Sequence, residues 1–474
     1  MIGRQGPAFS RRTLIGSGLG IGIGAAVFSA VGSGSAYAAG SVGSSSAWRR
    51  GHGFLAAAMD GYPDHGSIRL AQSYSDQAGL FSTAFTYDNA MAILAHLATR
   101  TADGRARAVA LGDALLYAQA HDPAYDDGRL RQAYNVGPYT FFDGSLQPDG
   151  FVRADGTANV GTQFGFTGTA VGDMAWAGIA LSALARRTGV RRFLDGAVRI
   201  GVWIERVGRT DEPLGGYKFG VNGADEKLPF TSTEHNTDLV CLFGRLALLT
   251  GDRVWRERRA RAEAFVKKMW EPSGGFFYTG TNDGVTVNKS PIPEDTQTWT
   301  HLALDGEDFP SYSHSYSHSY SRSLDWAAAE LAVLDHAGRR NSAVPAGQSY
   351  EGVTFSSASL VANEDVPIAE FQPKPDRNGV WFEGTAHLAL ALRDRGGARD
   401  EARARRLVDS IERAQDLLGA GQTVGAKALP ARSGVVSASS PLDTGFGFGY
   451  YPYRHVGATA WYLLAATRTN PLRA

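Results

Sequence analysis

The chain has 474 residues, of which 43% are hydrophobic, with 47 basic residues, 47 acidic residues and a single cysteine. One cysteine excludes an intramolecular disulfide, so a large hydrophobic core must stabilise the fold. The balanced charge gives no basic surface for nucleic acid or an anionic membrane, and it favours an uncharged substrate over a polyanion.

The beginning of the chain carries the pattern of an export signal. A twin-arginine motif lies at Arg11 and Arg12 and is followed by a weakly hydrophobic run rich in Gly and Ala. Residues 36–38 read Ala-Tyr-Ala, which fits the small-residue rule for signal cleavage. We therefore predict a twin-arginine signal peptide over 1–38, a secreted protein without a retained membrane segment, and a single catalytic domain over 39–474.

Beyond the signal, helical patterns come in pairs. The first member of each pair is apolar nearly all round, which predicts an inner helix, and the second is amphipathic and charged, which predicts an outer helix. Each inner helix follows a short entry segment rich in Gly, aromatic and acidic residues. The six entry segments are 86–89, 167–169, 233–236, 294–297, 382–385 and 454–457. The six predicted outer helices are 48–59, 105–120, 191–207, 254–270, 323–338 and 401–418.

The spacing of the entry segments, about 60 to 90 residues, is typical of stacked helix pairs. It predicts an all-α ring of six inner and six outer helices around one polar centre. Segments 215–220, 274–280 and 445–451 combine glycine with aromatic residues, which favours short hairpins or extended loops in the connections. A low-complexity Ser-Tyr-Ser-His tract over 311–323 predicts a mobile loop.

This pattern is similar to that of the α/α toroid superfamily. The resemblance covers nearly the whole mature chain and rests on the sixfold repeat and on acid-bearing entries, such as Phe-Thr-Tyr-Asp-Asn-Ala at 85–90 and Trp-Phe-Glu-Gly-Thr-Ala-His at 381–387. Members of the superfamily include glycoside hydrolases, polysaccharide lyases and sugar epimerases. The resemblance implies an (α/α)6 toroid with a central cleft and a carbohydrate-active enzyme, but it assigns no catalytic residue.

Acidic residues at the helix entries are the candidate catalytic groups. Hydrolysis of a glycosidic bond needs a protonated carboxylic acid near the leaving oxygen and a carboxylate on the other side of the bond. The candidates are Asp88, Glu234, Asp238, Asp295 and Glu383. Each of them alone is better explained as a helix-capping acid. Several acids at one end of a ring repel each other, however, which a purely structural arrangement would avoid.

Two of these acids have the most informative surroundings. Glu234 and Asp238 are four residues apart on one helix face, so repulsion would raise the pKa of one of them, and Glu234 is our candidate for the general acid. Glu383 follows two aromatic residues and is our candidate for the second carboxylate. Glu383 and His387 also have the spacing of half a zinc site, but no second pair of ligands completes it.

Aromatic and polar residues near the entries are the candidates for sugar binding, because a flat ring stacks on the apolar face of a sugar. These candidates are Tyr87, Asp143, Tyr217, His235, Asn236, Tyr278, Trp299, Trp381, His387, Tyr451 and His455.

The sequence therefore predicts a secreted, monomeric glycoside hydrolase that cleaves a neutral poly- or oligosaccharide through paired carboxylates. No phosphate-binding loop, nucleotide motif or metal-ligand pattern is present, so we expect no cofactor, no catalytic metal and no nucleic-acid partner. Two alternatives stay open. A polysaccharide lyase on the same ring would use a tyrosine or histidine base, such as Tyr453 or His455, and a non-catalytic carbohydrate-binding protein would need the aromatic residues but not the acids.

Overall fold

The computed structural model describes residues 43–62, 68–141, 143–162, 165–304, 320–370 and 372–473. The predicted export signal, and the tract over 311–323 as far as residue 319, lie outside the described residues. Twelve α-helices are described. The inner helices are α2 (Thr86–Ala98), α4 (Val171–Thr188), α6 (Thr233–Thr250), α8 (Glu294–Leu304), α10 (Phe382–Arg395) and α12 (Val456–Thr467). The outer helices are α1 (Gly43–Met59), α3 (Ala102–Ala120), α5 (Arg191–Gly208), α7 (Arg253–Lys268), α9 (Arg322–Glu330) and α11 (Ala398–Leu417).

The inner helices form a closed ring. Each contacts the next in chain order, and α12 contacts α2 to complete the circle. Each outer helix packs on the inner helix before it, except that α1 packs on α12. Every residue of α8 and nearly every residue of α12 is buried, as expected for helices enclosed by neighbours. The predicted all-α (α/α)6 toroid is confirmed. None of the described helices is long and apolar enough to cross a membrane.

Aromatic side chains fill the axis of the ring. Trp461 of α12 is fully buried, donates a hydrogen bond from Nε1 to Tyr87 Oη at 2.7 Å, and stacks on Trp299 with ring centroids 5.7 Å apart. Its ring edge also contacts Trp176 and His387. Through these four residues a single side chain joins α12 to α2, α4, α8 and α10.

Short antiparallel strands occupy the connections between the helices of the described chain. They are β1 (Thr83–Phe85), β2 (Ala133–Asn135), β3 (Tyr139–Thr140), β4 (Leu146–Gln147), β5 (Thr169–Ala170), β6 (Gly220–Val221), β7 (Thr231–Ser232), β8 (Trp270–Glu271), β9 (Phe276–Phe277), β10 (Gly280–Thr281), β11 (Val287–Asn288), β12 (Ala332–His336), β13 (Ser349–Val353), β14 (Thr423–Val424), β15 (Lys427–Ala428), β16 (Val435–Val436), β17 (Leu442–Asp443), β18 (Gly449–Tyr450) and β19 (Arg454–His455). The pairs are β1 with β2, β3 with β4, β5 with β6, β7 with β10, β10 with β11, β8 with β9, β12 with β13, β14 with β15, β16 with β19 and β17 with β18. Strands β1, β5, β7 and β19 run directly into inner helices, so their pairing fixes where those helices begin.

The predicted outer helix over 323–338 is wrong in its second half. Helix α9 ends at Glu330, and Ala332–His336 forms β12, which pairs with β13 in the longest hairpin of the described chain. Burial alternates along this segment as it does in a strand. Val333 and Asp335 point inward, while their neighbours are exposed or half-buried. The inward position of Asp335 is incompatible with an amphipathic outer helix.

A buried pair of carboxyl groups ties this hairpin to the rest of the protein. Asp335 accepts hydrogen bonds from the hydroxyl groups of Ser342, Ser439 and Ser440 at 2.6 to 2.8 Å. Asp376, which is also buried, lies against it. Burial, and then the charge of Asp335, raise the pKa of Asp376 to about 6. The pair therefore holds a proton well above the usual range of an aspartic acid.

This pair should make stability depend on pH in a defined window. The folded protein holds the Asp376 proton up to about pH 6, whereas the unfolded chain loses it near 3.8. The protonated pair contributes its full stabilisation of the folded state below about pH 3.8. This stabilisation is lost as the pH rises through 6, because between these two pH values the unfolded chain binds fewer protons than the folded protein does. Asp376→Asn is neutral at every pH, so urea midpoints from about pH 4 to about pH 7 should fall less steeply than for the wild type. Parallel profiles of the two proteins would contradict this assignment.

Candidate active site

A cavity opens at the end of the ring where the inner helices begin. Its volume is about 890 Å³, including the space open to solvent at its mouth. Aromatic rings make up much of its wall, and those among the described residues are Tyr87, Trp176, Phe219, Trp299, Phe355, Trp381, Phe446, Phe448 and Tyr450. An aromatic wall with a small number of polar groups is typical of a small-molecule site.

Four carboxyl side chains line this cavity. They are Asp173, Glu234, Asp295 and Glu383, and each lies in the first turn of a different inner helix. The partial positive charge of a helix N-terminus stabilises an acid at such a position. Their convergence on one cavity places several acidic groups within reach of one ligand, which is the arrangement that acid and base catalysis requires.

Glu383 is held from several sides. Tyr87 Oη donates a hydrogen bond to Glu383 Oε1 at 2.5 Å, and Tyr87 Oη in turn accepts the indole hydrogen bond of Trp461. Burial, and then the charge of Glu383, raise the pKa of Tyr87 well above its usual value, so the phenol keeps the proton that it donates. His455 Nδ1 lies 3.4 Å from Glu383 Oε2. The carboxyl group is therefore fixed in position at the cavity wall.

Asp88 was predicted as a catalytic acid, but it lies behind the cavity wall. It is 2% exposed, and Oδ1 lies 3.1 Å from His455 Nε2. The backbone N–H of Ala458 donates to His455 Nδ1 at 3.2 Å, so the ring proton is on Nε2 and is donated to Asp88. His455, predicted to bind substrate, also lies outside the lining and caps α12. Asp88 therefore orients His455, which contacts Glu383.

A second buried pair lies behind the lining. Glu294 Oε2 and His387 Nδ1 are 3.1 Å apart, and both side chains are fully buried. Burial, and then the charge of Asp295, raise the pKa of Glu294 well above its usual value. Burial lowers the pKa of His387 well below its usual value. Both directions favour uncharged groups. His387, predicted to bind substrate, is buried and does not line the cavity.

Asp238 lies one helical turn beyond Glu234 and is completely buried. Burial, and then the charge of Glu234, raise the pKa of Asp238 well above its usual value. The repulsion expected between the two acids is therefore felt by Asp238, and only Glu234 reaches the cavity. Asp238, predicted as a catalytic acid, does not line the cavity.

Three candidates on the α6 side of the ring have structural partners instead of access to the cavity. The side-chain amide of Asn236 bonds to the backbone N–H and C=O of Tyr217 at 2.9 and 3.0 Å. Tyr217 Oη donates to Glu205, and Tyr278 Oη donates to Glu271. All three side chains brace loops and are absent from the lining.

Two more candidates lie in loops away from the cavity. Tyr451 Oη donates to Gln372, and Asp143 is an exposed residue that accepts hydrogen bonds from the backbone and hydroxyl of Ser145. Neither residue lines the cavity. The predicted residues that do line it are Tyr87, Glu234, His235, Asp295, Trp299, Trp381 and Glu383.

Asp173 is the acid that sequence reasoning missed. It is the third residue of α4, whereas the predicted entry at 167–169 lies before the helix begins and contains no acid. The available signal was its position, because each inner helix that carries an acid carries one at its first, second or third residue. Among the described residues, no group of three or more His, Cys, Asp or Glu side chains is arranged to hold a metal ion.

Neither a known protein family nor a curated protein matches this sequence. Solved structures do match. A cellobiose 2-epimerase from Bacillus thermoamylovorans B4167 gives a TM-score of 0.60 at 11% identity, covering 89% of this chain and 97% of its own. A D-mannose isomerase gives 0.58 at 13% identity, covering 92% and 99%. A family 76 glycoside hydrolase (mannosidase) from Bacteroides thetaiotaomicron VPI-5482 gives 0.55 at 8% identity, covering 90% and 98%. These likenesses show that the chain shares their fold.

Proposed function

We propose that this protein is a glycoside hydrolase. The observation that carries the proposal is the convergence of four carboxyl groups, from four helices, on one cavity with an aromatic wall. Paired carboxyl groups are what hydrolysis of a glycosidic bond requires. The family 76 protein supports the proposal, because it is a glycoside hydrolase with the same fold.

Glu234 and Glu383 are the proposed catalytic pair. Glu234 is half-buried at the cavity wall and donates a proton to the glycosidic oxygen as the bond between that oxygen and the anomeric carbon breaks. Glu383, fixed by Tyr87, either removes a proton from the water that adds to the anomeric carbon or attacks that carbon before water does. In both routes one water is consumed and one reducing end is formed.

The wall of the cavity argues against an anionic glycan. The described lining residues include no Arg or Lys that would pair with a uronate carboxylate. A lyase needs such neutralisation before it abstracts a proton, so hydrolysis of a glycan without acidic groups fits the site better. Trp381 and Tyr450, stacked with ring centroids 5.7 Å apart, give this wall flat apolar surface for a sugar ring. The twin-arginine motif supports a secreted enzyme that acts on an external poly- or oligosaccharide.

The proposal is tested by incubating the protein with a panel of poly- and oligosaccharides in water enriched in oxygen-18. We expect products that gain one labelled water, detected by mass spectrometry. Unsaturated products that absorb ultraviolet light would show a lyase instead. Binding of a glycan without any product would show a carbohydrate-binding protein.

A sugar epimerase or isomerase is the second candidate, because His235 lines the cavity beside Glu234. The His235 ring packs so closely on Gly172 that an added Cβ would lie 2.5 Å from Nε2, so the imidazole is held in place. An imidazole and a carboxyl group together can move a proton next to a sugar carbonyl. Deuterium uptake into an unhydrolysed sugar in heavy water would favour this candidate over hydrolysis.

A further inference from the structure

We propose that the cavity takes sugars linked to an apolar aglycone, an alkyl or aryl group that lies against a wall of phenylalanine rings. The inference rests on the proposed function and names its substrate class. Phe355, Phe446 and Phe448 form this phenylalanine wall, and all three line the cavity. A phenylalanine side chain neither donates nor accepts a hydrogen bond, so a sugar hydroxyl group pressed against it would lose its water without compensation. An apolar group loses nothing there.

The phenylalanine wall belongs to a hydrophobic cluster that is separate from the main core. Phe355, Phe446 and Tyr450 are buried in this cluster, and Phe448 packs against them. Each member of the cluster lies in a connecting segment, outside the described helices. The helix packing that closes the ring therefore does not account for it. An apolar surface beside a cavity and outside the main core is typical of a ligand-binding surface.

A tight turn between β17 and β18 presents two of the rings, Phe446 and Phe448. The hydroxyl group and the backbone N–H of Thr444 both donate hydrogen bonds to the carbonyl of Phe448, at 2.7 and 3.1 Å. Ser356 Oγ donates to the carbonyl of Thr444 at 2.7 Å, which ties the turn to the segment that carries Phe355. The rings are therefore held in place before a ligand binds, so little ordering of the protein opposes binding.

The angles between the rings distinguish two kinds of surface in the cavity. Phe355 meets Phe446 and Phe448 edge to face, with centroids 5.8 Å apart in both pairs and planes inclined at 77° and 74°. Trp381 and Tyr450 are nearly parallel instead, at 20°. A flat sugar face matches parallel rings. Rings set at right angles form a corner, which fits a rounded or flexible apolar group better than a flat sugar.

The polar groups of the cavity come from different elements than the phenylalanine wall. Its carboxyl groups lie in the first turns of inner helices, whereas the wall lies in connecting segments. A ligand that fills the whole cavity must therefore be polar in one part and apolar in another. A sugar joined to an alkyl or aryl aglycone has this division, whereas a plain sugar chain carries hydroxyl groups along its whole length.

The experiment measures binding of octyl and methyl 1-thioglycosides, whose sulfur linkage resists hydrolysis, by isothermal titration calorimetry. Glucose, galactose and mannose derivatives are tested in both anomeric forms, below the concentration at which the octyl compounds form micelles. We expect at least one octyl compound to bind a single saturable site about tenfold or more tightly than its methyl counterpart. Its heat-capacity change on binding should also be more negative, because more apolar surface is buried. Equal affinities throughout the panel would overturn the proposal.

Replacing Phe448 assigns the effect to the phenylalanine wall, because this ring is half-buried at the cavity, where a ligand can reach it. Phe448→Ala should remove most of the octyl advantage, and Phe448→Leu, which keeps apolar bulk, should retain part of it. Phe141→Ala, a change of a half-buried ring outside the cavity, should preserve the advantage. An unchanged advantage in Phe448→Ala would overturn the proposal.

Two further outcomes keep the test decisive. If Phe448→Ala does not fold, the heat-capacity change of the wild type decides, and equal values for octyl and methyl compounds would overturn the proposal. Hydrolysis of plain oligosaccharides without any octyl preference would refute this inference alone. An octyl preference without hydrolysis of any oxygen-linked glycoside would refute the hydrolase alone.

Discussion

Replacing Glu383 by glutamine should lower turnover by about 10²- to 10⁴-fold. The amide has nearly the same shape and still accepts the hydrogen bond of Tyr87, but it can neither remove a proton from water nor attack an anomeric carbon. Glu234→Gln should cause a loss of similar size, because an amide cannot donate the proton that the leaving oxygen needs. Turnover is measured on the glycan identified in the oxygen-18 assay.

Two controls separate loss of chemistry from loss of fold. Thermal unfolding should show both glutamine variants within a few degrees of the wild type. Asp143→Asn removes a carboxylate from an exposed turn outside the cavity and should leave turnover unchanged. If Glu383→Gln and Glu234→Gln each kept more than about a tenth of wild-type turnover, the assigned catalytic pair would be wrong, since general acid or base catalysis contributes at least about 10²-fold.

Replacing Trp461 by alanine should lower the free energy of unfolding by about 3 to 5 kcal/mol. The side chain is fully buried and contacts four other inner helices through Tyr87, Trp176, Trp299 and His387. The change would leave a cavity on the axis of the ring, which its neighbours can fill only in part. Urea unfolding monitored by circular dichroism gives the difference in free energy.

Trp461→Phe is the matched control for this prediction. It keeps most of the buried aromatic volume and loses the hydrogen bond from Nε1 to Tyr87, so its destabilisation should be much smaller than that of the alanine variant. An alanine variant that is as stable as the phenylalanine variant would show that the axis of the ring collapses around the missing side chain. If the alanine variant does not fold at all, the phenylalanine variant still measures the hydrogen-bond contribution.

Sequence reasoning reached the architecture because hydrophobic pattern is a local signal. Inner helices enclosed on every side are apolar all round, and outer helices carry a solvated face. Each type can therefore be recognised from the sequence of that helix alone. The second half of the predicted helix over 323–338 failed because its burial depends on a distant partner. Strand β12 is specified by pairing with β13 and by hydroxyl groups that bind Asp335, and Ser439 lies about a hundred residues further along the chain.

The site was harder to predict, because reaching the cavity depends on how each helix is rotated about its axis. Asp88 and Asp173 are both the third residue of an inner helix, yet Asp173 lines the cavity while Asp88 faces His455. Likewise, Tyr217 and Tyr278 were predicted, with Tyr87, to bind a sugar. Their hydroxyl groups are instead taken by acids that only the folded loops bring near.

The pairing of α1 with α12 makes assembly of this ring a non-local event. Five of the six helix pairs join helices that are consecutive in the sequence, and in four of them the connection is only two or three residues long. The sixth joins the two ends of the described chain. Beside it, a hydrogen bond from Gln415 Nε2 of α11 to the carbonyl of Ala47 in α1 spans 368 residues. Closing so long a loop costs the most chain entropy, so we expect the seam between α1 and α12 to form last. During synthesis, the ring and its central cavity would therefore form only after α12 has been made.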